Sequence, residues 1–273
     1  MEPGKDVSAR FGGFADLCGR LEEARRTRRV SIVALVGAGG KTSSMFALAR
    51  FFASPVRAVA LRVLVTTTTR IHDPTSRSER EGRGFGTLLL LPDPASPSSL
   101  ERIGLAGPRV VLASGRSDDG AKLMGVDPAS MAAVAPLFDA VLLEADGARG
   151  LSVKAPSPTE PVIPSSCTAV VGLVGLDALG APMDARVVHR PQLFGPLVGC
   201  APGEPVSTTH ILRLASSPRG LFQGAPPGAL RFLLLNKADA VPRDTAAECA
   251  ERIAASKVCD AVFTAAVGKG DRS

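Results

Sequence analysis

The sequence contains no tryptophan or tyrosine, and its 11 phenylalanines are few for a chain of 273 residues. Proteins that bind single-stranded nucleic acid stack bases on aromatic side chains, so this scarcity argues against a nucleic-acid partner. Hydrophobic residues still make up 45% of the chain, and the core must therefore be mostly aliphatic. The length favours one large α/β domain.

The sequence also lacks long hydrophobic runs and closely paired cysteines. No stretch approaches the ~18 apolar residues that a membrane helix needs. Widely spaced cysteines without a C-x-x-C pair are typical of a reducing compartment, and we expect each to be a small buried residue rather than a zinc ligand. These absences predict a cytoplasmic protein with no membrane partner. The cysteines are Cys18, Cys167, Cys200, Cys249 and Cys259.

The charge balance is basic, with a net charge of +6 and a sequence pI of about 9.4. Such a balance suits an anionic ligand or partner. The basic run at residues 25–29 has no second basic cluster to accompany it, so we interpret it as a solvated helix end. That helix is predicted over residues 14–29, with Leu17 and Leu21 on its buried face.

The most informative stretch is an apolar run at residues 30–36 that leads into a glycine-rich loop and then a helix. The run predicts a buried parallel strand, and the glycines leave backbone N–H groups open to an anion. A helix beginning near Lys41 adds its positive end, Lys41 a cation for phosphate, and Thr42 a hydroxyl for Mg²⁺. The predicted nucleotide-binding residues here are Gly37, Ala38, Gly39, Gly40, Lys41, Thr42 and Ser43.

This loop departs from the standard phosphate loop, G-x-x-x-x-G-K-[ST]. Leu35 stands where the first glycine is required, and the compact form G-x-x-G-K-T resembles the loop of Mur-type ligases. The alternative interpretation is a glycine turn that only caps a helix.

Two further strands are predicted to deliver polar residues to the same sheet edge. A strand over residues 58–65 leads into four threonines and Arg70; we expect hydroxyls there, including that of Thr67, near Mg²⁺ or phosphate, although threonine also simply favours strands. The stretch 139–147 ends in Glu144 and Asp146, which share one strand face and are able to hold Mg²⁺ directly or through water. The alternative is a turn with solvated acids.

A later strand, over residues 230–235, is followed by N-K-x-D: Asn236, Lys237 and Asp239. In GTP-binding proteins this motif reads the base, because one carboxylate accepts from two adjacent guanine donors. Adenine lacks that pair, and the mismatch costs about 1.5–3 kcal/mol. Residues 264–266 are candidates for a backbone contact to the guanine oxygen. The alternative is a turn in which Asp239 caps a helix.

The remaining segments fix the predicted order of elements. Residues 1–29 are predicted to be a helical extension and residues 30–273 one α/β domain. A mobile loop with one short strand is expected over residues 73–97, a strand over 109–114, a turn over 120–125, a helix over 128–138 capped by Asp127, a strand over 168–174 and a helix over 206–215. His189, in a predicted loop, is expected to be polar surface rather than catalytic.

Six motifs together resemble the YqeC family over residues 30 to the end of the chain. They are Gly37-Ala38-Gly39-Gly40-Lys41-Thr42, residues 66–70, residues 144–149, Lys154-Ala155-Pro156 with residues 160–164, Val188-His189-Arg190-Pro191, and Asn236-Lys237-Ala238-Asp239. The resemblance implies an accessory role for selenium-dependent molybdenum hydroxylases, in maturing the enzyme or supplying its cofactor. More distantly, E-x-x-G followed by N-K-x-D resembles the nickel-delivery GTPases of urease and hydrogenase maturation.

The sequence therefore predicts a doubly wound, mainly parallel α/β protein of the P-loop NTPase type. It should bind Mg²⁺ with GTP or ATP, GTP being favoured, and its client should be a molybdenum hydroxylase or a cofactor-maturation protein. The predicted catalytic residues are Lys41, Glu144 and Asp146, and the predicted metal residues are Thr42, Asp146 and Thr67. The alternatives are an ATP-dependent ligase or kinase of a small molecule, and a nucleotide sensor without turnover.

Overall fold

A computed structural model of the protein describes residues 11–28, 32–54, 61–72 and 85–268. The strands are β1 (Phe11–Gly13), β2 (Ile32–Gly37), β3 (Val63–Thr67), β4 (Arg70–His72), β5 (Thr87–Leu90), β6 (Arg109–Ala113), β7 (Gly115–Arg116), β8 (Lys122–Met124), β9 (Ala140–Glu144), β10 (Val153–Lys154), β11 (Ala169–Gly175), β12 (Val188–His189), β13 (Leu230–Asn236) and β14 (Ala261–Thr264). The helices are α1 (Phe14–Arg28), α2 (Lys41–Phe52), α3 (Pro97–Leu105), α4 (Met131–Val134), α5 (Pro191–Val198), α6 (Thr208–Ser216) and α7 (Arg243–Ala255).

Within the described residues, the main sheet has nine strands in the order β1-β14-β13-β11-β2-β9-β3-β6-β5. Every neighbouring pair in it is parallel. On one side of β2 lie β9, β3, β6 and β5, and on the other side lie β11, β13, β14 and β1. This arrangement confirms the predicted doubly wound, mainly parallel α/β class. Ligands of such sheets bind at the carboxyl ends of the strands, where the winding reverses.

Both faces of the sheet are covered, which is why its strands are apolar along their whole length. In β2, Ile32 and Val36 join the hydrophobic cluster that includes side chains of α5, α6 and α7. Val33 and Leu35 join the cluster on the opposite face, under α1 and α2. Leu35 is fully buried and pairs with Glu144 of β9 and Val171 of β11. The position that holds glycine in a standard phosphate loop is therefore a core strand position here.

Several predicted boundaries are wrong. The second strand was predicted over residues 58–65 but runs from Val63 to Thr67; residues 58–60 lie outside the described residues. The helix expected over residues 128–138 is only the four-residue α4 between two 3₁₀ turns, because Pro136 cannot continue a helix. Asp127 does cap it, as predicted, with Oδ1 2.9 Å from the Ala129 nitrogen.

Short strands account for the other differences. β1 adds an edge strand to the main sheet beside β14, ahead of the predicted helix. The expected turn at residues 120–125 contains β8, which pairs with β4 and β7 in a small antiparallel sheet. Residues 73–84 of the predicted mobile loop lie outside the described residues, and its short strand is present as β5. Among the described residues, no helix combines the length and apolar character needed to cross a bilayer.

Candidate functional site

The glycine loop (residues 37–40) joins β2 to α2 at the carboxyl edge of the sheet. Gly37, Gly39 and Gly40 have φ angles of 89°, 89° and 112°, which other residues rarely adopt. A Cβ on Gly40 would come within 2.6 Å of Asn236 Nδ2, and one on Gly37 would collide with the Leu173 carbonyl. The loop therefore requires glycine for its conformation and for its close packing on β11 and β13.

The structure shows how the N–H groups of this loop are used. The nitrogens of Ala38 and Gly39 donate to the carbonyls of Leu173 and Leu151, at 3.0 and 2.9 Å. Gly37 N donates to Asp146 Oδ2 at 3.1 Å. The open donors are instead those of the first turn of α2, at Lys41, Thr42 and Ser43, because the first N–H groups of a helix have no partner within it.

Two carboxylates from the end of β9 converge on Lys41 and Thr42. Lys41 Nζ lies 3.3 Å from Asp146 Oδ1 and 3.7 Å from Glu144 Oε1, and it donates to the Gly37 carbonyl at 2.6 Å. The Thr42 hydroxyl donates to Glu144 Oε2 at 2.7 Å. Parallel pairing brings them together, since Leu35 of β2 is in register with Glu144. Two segments distant in sequence thus contribute four side chains to one compact polar cluster.

The acids of this cluster are buried beside two cations, Lys41 and Lys154. Burial raises the pKa of Glu144, although Lys41 and the Thr42 hydrogen bond oppose that rise. Asp146 Oδ1 is buried without a hydrogen-bond partner in the described residues. Two buried carboxylates and a hydroxyl offer the oxygen ligands that Mg²⁺ prefers.

Thr67 lies beside this cluster but is fully buried. Its hydroxyl donates to the Glu144 carbonyl at 2.9 Å and accepts from the Thr69 nitrogen at 3.0 Å. Thr66 and Thr68 also donate to main-chain carbonyls, of Leu112 and Val162. The threonines therefore tie the end of β3 to its neighbours.

An ion network that the sequence analysis did not predict extends from Asp146. Lys154 is 1% exposed, and its Nζ lies 2.8 Å from Asp146 Oδ2 and 2.7 Å from Glu160 Oε2. Arg190 NH1 lies 2.8 Å from the same Glu160 oxygen. Burial alone would raise the pKa of Glu160, but the hydrogen bonds from Arg190 and Lys154 hold it below its usual range. The charges alternate from Lys41 through Asp146, Lys154 and Glu160 to Arg190.

Three basic residues around the site have left-handed backbones. The φ angles of Arg149, Arg190 and Lys237 are 51°, 66° and 57°. Between Val188 and Arg190 lies His189, which is half-buried. Burial, together with the nearby charges of Arg190, Lys154 and Arg149, lowers the pKa of His189 to about 4. The imidazole is therefore neutral at neutral pH.

The N-K-x-D residues follow β13 and connect to the glycine loop. Asn236 is fully buried; its Nδ2 donates to the Gly39 carbonyl at 2.7 Å, and its Oδ1 accepts from Val267 N at 2.8 Å. Lys237 Nζ lies 2.8 Å from both Ser152 Oγ and Asp177 Oδ2. Asp239 is exposed in a 3₁₀ turn. Asn236 thus joins the glycine loop to the segment after β14.

Two neighbouring cavities open at this edge. The smaller, of about 300 Å³, is lined by Gly39, Gly40, Lys41, Thr42 and Glu144 among others. The larger, of about 870 Å³, is lined by His189, Arg190 and Glu160 among others. Arg70, Gly147, Arg149 and Leu151 line both cavities.

The cysteines lie apart from these residues. All are free, and only Cys259 is not fully buried; burial raises the pKa of Cys167 and Cys259 to about 11. Cys200, Glu204 and His210 bring potential metal ligands within 4.8 Å of one another. However, Ser207 N donates to His210 Nδ1 at 3.2 Å, which places the proton of the neutral ring on Nε2 and closes that nitrogen to a metal.

Fold and site together define an α/β protein with a polar site at the carboxyl edge of a doubly wound parallel sheet. The model of the YqeC protein family matches residues 33–192, more than half of the chain. The chain is 33% identical over 213 residues to the uncharacterized protein YqeC of Escherichia coli (strain K12), covering 77% of each chain. It belongs to the YqeC family. No solved structure matches the chain significantly.

Proposed function

We propose that this protein binds a nucleoside triphosphate with Mg²⁺ at the glycine loop and hydrolyses it, with GTP preferred. The observation that carries the proposal is the convergence of Lys41, Thr42, Glu144 and Asp146 at the start of α2. A lysine, a hydroxyl and paired acids beside open helix N–H groups suit a metal-bound triphosphate. In this protein the phosphates would contact the first turn of α2 rather than the whole loop.

The residues of the site fit Mg²⁺, with Glu144 added to the sequence-based metal residues and Thr67 removed from them. Thr42 and Glu144 are in direct contact and would hold the metal, with Asp146 alongside. Asp146 already accepts from Gly37 N and Lys154, so it also fixes the loop and positions Lys41. The Thr67 hydroxyl is engaged on both sides, and we assign Thr67 to positioning Glu144. When bound, Mg²⁺ would neutralise phosphate charge.

The remaining chemistry rests on the side chains of this chain. Lys41, now held by the Gly37 carbonyl, would turn to the terminal phosphates. Glu144, whose pKa burial raises, would hold or orient water near the metal. Asn236 joins the glycine loop to the segment after β14. Asp239, exposed after β13, would accept hydrogen bonds from guanine.

The biological role would be maturation of a selenium-dependent molybdenum hydroxylase, as the family resemblance implies. Coexpression of such a hydroxylase with this protein tests that role. Wild-type protein should raise hydroxylase activity, whereas Lys41→Ala should not. Equal activity with and without the protein would contradict it.

Nucleotide titration with matched variants of Thr42 tests the binding site. Thr42→Val removes the hydroxyl at nearly constant shape, and Thr42→Ser keeps it. We expect Thr42→Val to weaken the Mg²⁺-dependent part of nucleotide affinity at least ~10-fold and Thr42→Ser to change it little. Lys41→Ala should abolish turnover. Unchanged affinity and turnover in Lys41→Ala and Thr42→Val would refute the assignment.

A second candidate function is a nucleotide-dependent kinase or ligase of a small molecule. The observation that favours it is the larger cavity, which shares lining residues with the one at the glycine loop. A hydrolase would release phosphate from nucleotide and water alone. A kinase or ligase would require an acceptor for rapid turnover, so the two candidates are separated by measuring phosphate release without any added acceptor.

A further inference from the structure

The larger cavity at the sheet edge has the size of a small-molecule binding site. Its volume of about 870 Å³ lies within the range of known ligand pockets, roughly 300–1,000 Å³. Met124, Val188 and Pro191 supply apolar walls, and polar side chains supply the rest. Such a combination suits an organic molecule that carries polar groups.

The charges that line this cavity are mainly positive. Arg70, Arg149 and Arg190 face a single acid, Glu160, so three positive charges and one negative leave a surplus of two. In the part of the chain that the structure describes, Arg70 and Arg149 lie within 4.0 Å of no carboxylate, and both are exposed. Glu160 is already shared between Arg190 and Lys154. The cavity therefore has cations available to an incoming anion.

The hydrogen-bonding groups of the cavity support the same conclusion. Thr68, Thr69, His189 and Gln192 line it beside the arginines. Because burial, and after it the surrounding cations, lower the pKa of His189, the imidazole is a neutral hydrogen-bonding group at neutral pH. Guanidinium groups bind carboxylate and phosphate through two parallel hydrogen bonds.

We infer that this cavity binds a small organic anion, carrying phosphate or carboxylate groups, through Arg70, Arg149 and Arg190. The anion is a second substrate that lies beside the terminal phosphate of the nucleotide. Its position rests on four residues that line both cavities, Arg70, Gly147, Arg149 and Leu151. That placement depends on the proposed function, whereas the binding of the anion does not.

A charge placed in the cavity tests the inference without removing any contact. Ala185 lines only the larger cavity and is exposed, so Ala185→Glu should fold normally. Ala133→Glu adds the same charge at an exposed position of α4 that lines neither cavity. Calorimetric titrations of inorganic pyrophosphate, and separately of citrate, would be made into both variants and wild type, without nucleotide or Mg²⁺. The two probes separate phosphate binding from carboxylate binding.

We expect pyrophosphate to bind wild type at two sites, one in each cavity. Ala185→Glu should weaken the site in the larger cavity at least ~10-fold, and Ala133→Glu should leave both unchanged. A single site that Ala185→Glu abolishes would support the anion cavity and count against the proposed nucleotide site. A single site that Ala185→Glu leaves intact, or no binding of either probe, would overturn the inference.

Substitutions of Arg190 test the same cavity without adding a carboxylate, so they check that the effect of Ala185→Glu is not an indirect one. Arg190 lines only the larger cavity, and Arg190→Lys keeps its charge while Arg190→Gln removes it. We expect Arg190→Gln to weaken the same pyrophosphate or citrate site at least ~10-fold and Arg190→Lys to weaken it less. Equal affinities of wild type and Arg190→Gln would contradict the role of Arg190.

Discussion

Lys154 is enclosed by acceptors, with Asp146, Glu160 and the Gly147 carbonyl all within 2.8 Å of Nζ. Its removal would leave two carboxylates short of a cation in a buried setting. Breaking a buried ion pair from one side typically costs about 3–5 kcal/mol. We therefore expect Lys154→Met to lower the free energy of unfolding by about that amount, as measured by urea denaturation.

An exposed ion pair provides the control for this substitution. Arg186 lies 2.6 Å from Asp184 but its side chain is 83% exposed, and such exposed pairs contribute little to stability. Arg186→Met should hardly change the urea midpoint. Similar losses of unfolding free energy in Lys154→Met and Arg186→Met would contradict the claim that burial makes the Lys154 ion pairs stabilising.

His189 predicts a pH dependence of stability. Its pKa is about 4 in the folded chain against 6.5 for the free side chain, so the unfolded chain takes up the proton first. Its contribution to stability is complete above pH 6.5 and is lost as the pH falls from 6.5 towards 4. His189→Gln should flatten the stability profile across that window. Nuclear magnetic resonance titration of the ring would check the pKa, and a value near 6.5 would contradict the prediction.

At the scale of elements, Asn236 connects segments that are far apart in the chain. Its amide bonds the glycine loop after β2 and residue Val267 after β14. It is the only asparagine in the 273-residue sequence. Protein labelled with ¹⁵N-asparagine will therefore show a single side-chain amide pair, which reports on this contact alone.

We expect that amide signal to shift when nucleotide binds, because its acceptor belongs to the glycine loop. Asn236→Ala should lower the free energy of unfolding by about 1–3 kcal/mol, since it leaves buried backbone groups unpaired, and it should weaken nucleotide binding as well. The amide pair would disappear in the variant, which confirms its assignment. An Asn236 amide signal that does not shift at saturating nucleotide would argue against nucleotide binding at the glycine loop.

How much of the fold the sequence reveals depends on the length of each element. β2, β9, β11 and β13 are long apolar runs with both faces buried, so their composition alone identifies them. β1, β7 and β12 have only two or three residues, too few for any periodicity. They exist because a neighbouring strand is already in place.

The same distinction holds for the site. The glycine loop with Lys41 and Thr42 is contiguous, and the register of parallel strands brings Glu144 to it, so this cluster was predictable. The network of Lys154, Glu160 and Arg190 was not, because its members come from separate loops and β10 and β12, which pair only in the folded chain. Their motifs carried the family resemblance, but no spacing indicated that their charges meet.

At the scale of the whole molecule, the proposed nucleotide would span the middle of the sheet, from β2 to the segment after β13. GTP should bind at least ~10-fold more tightly than ATP, a ratio that needs only about 1.4 kcal/mol. Asp239→Asn should shift the preference towards xanthosine triphosphate, whose carbonyl accepts from the new amide. Competition titrations measure the GTP-to-ATP affinity ratio of the wild type and the nucleotide preference of Asp239→Asn. Equal binding of ATP and GTP, with no shift in the variant, would favour the ligase alternative.

The left-handed backbone conformation of Arg149 affects thermal stability as well as binding. A side chain in that backbone region costs about 1–2 kcal/mol, and glycine avoids the cost while losing some entropy. Arg149→Gly should thus stabilise the fold by about 0.5–1 kcal/mol while weakening anion binding. Lys257, with φ 56° and exposed beyond α7, allows the comparison: Lys257→Gly should bring the same thermal gain with binding intact. We expect both substitutions to raise the melting temperature, and only Arg149→Gly to lower anion affinity. That result would show that the left-handed arginine is kept for binding, at a cost in thermal stability.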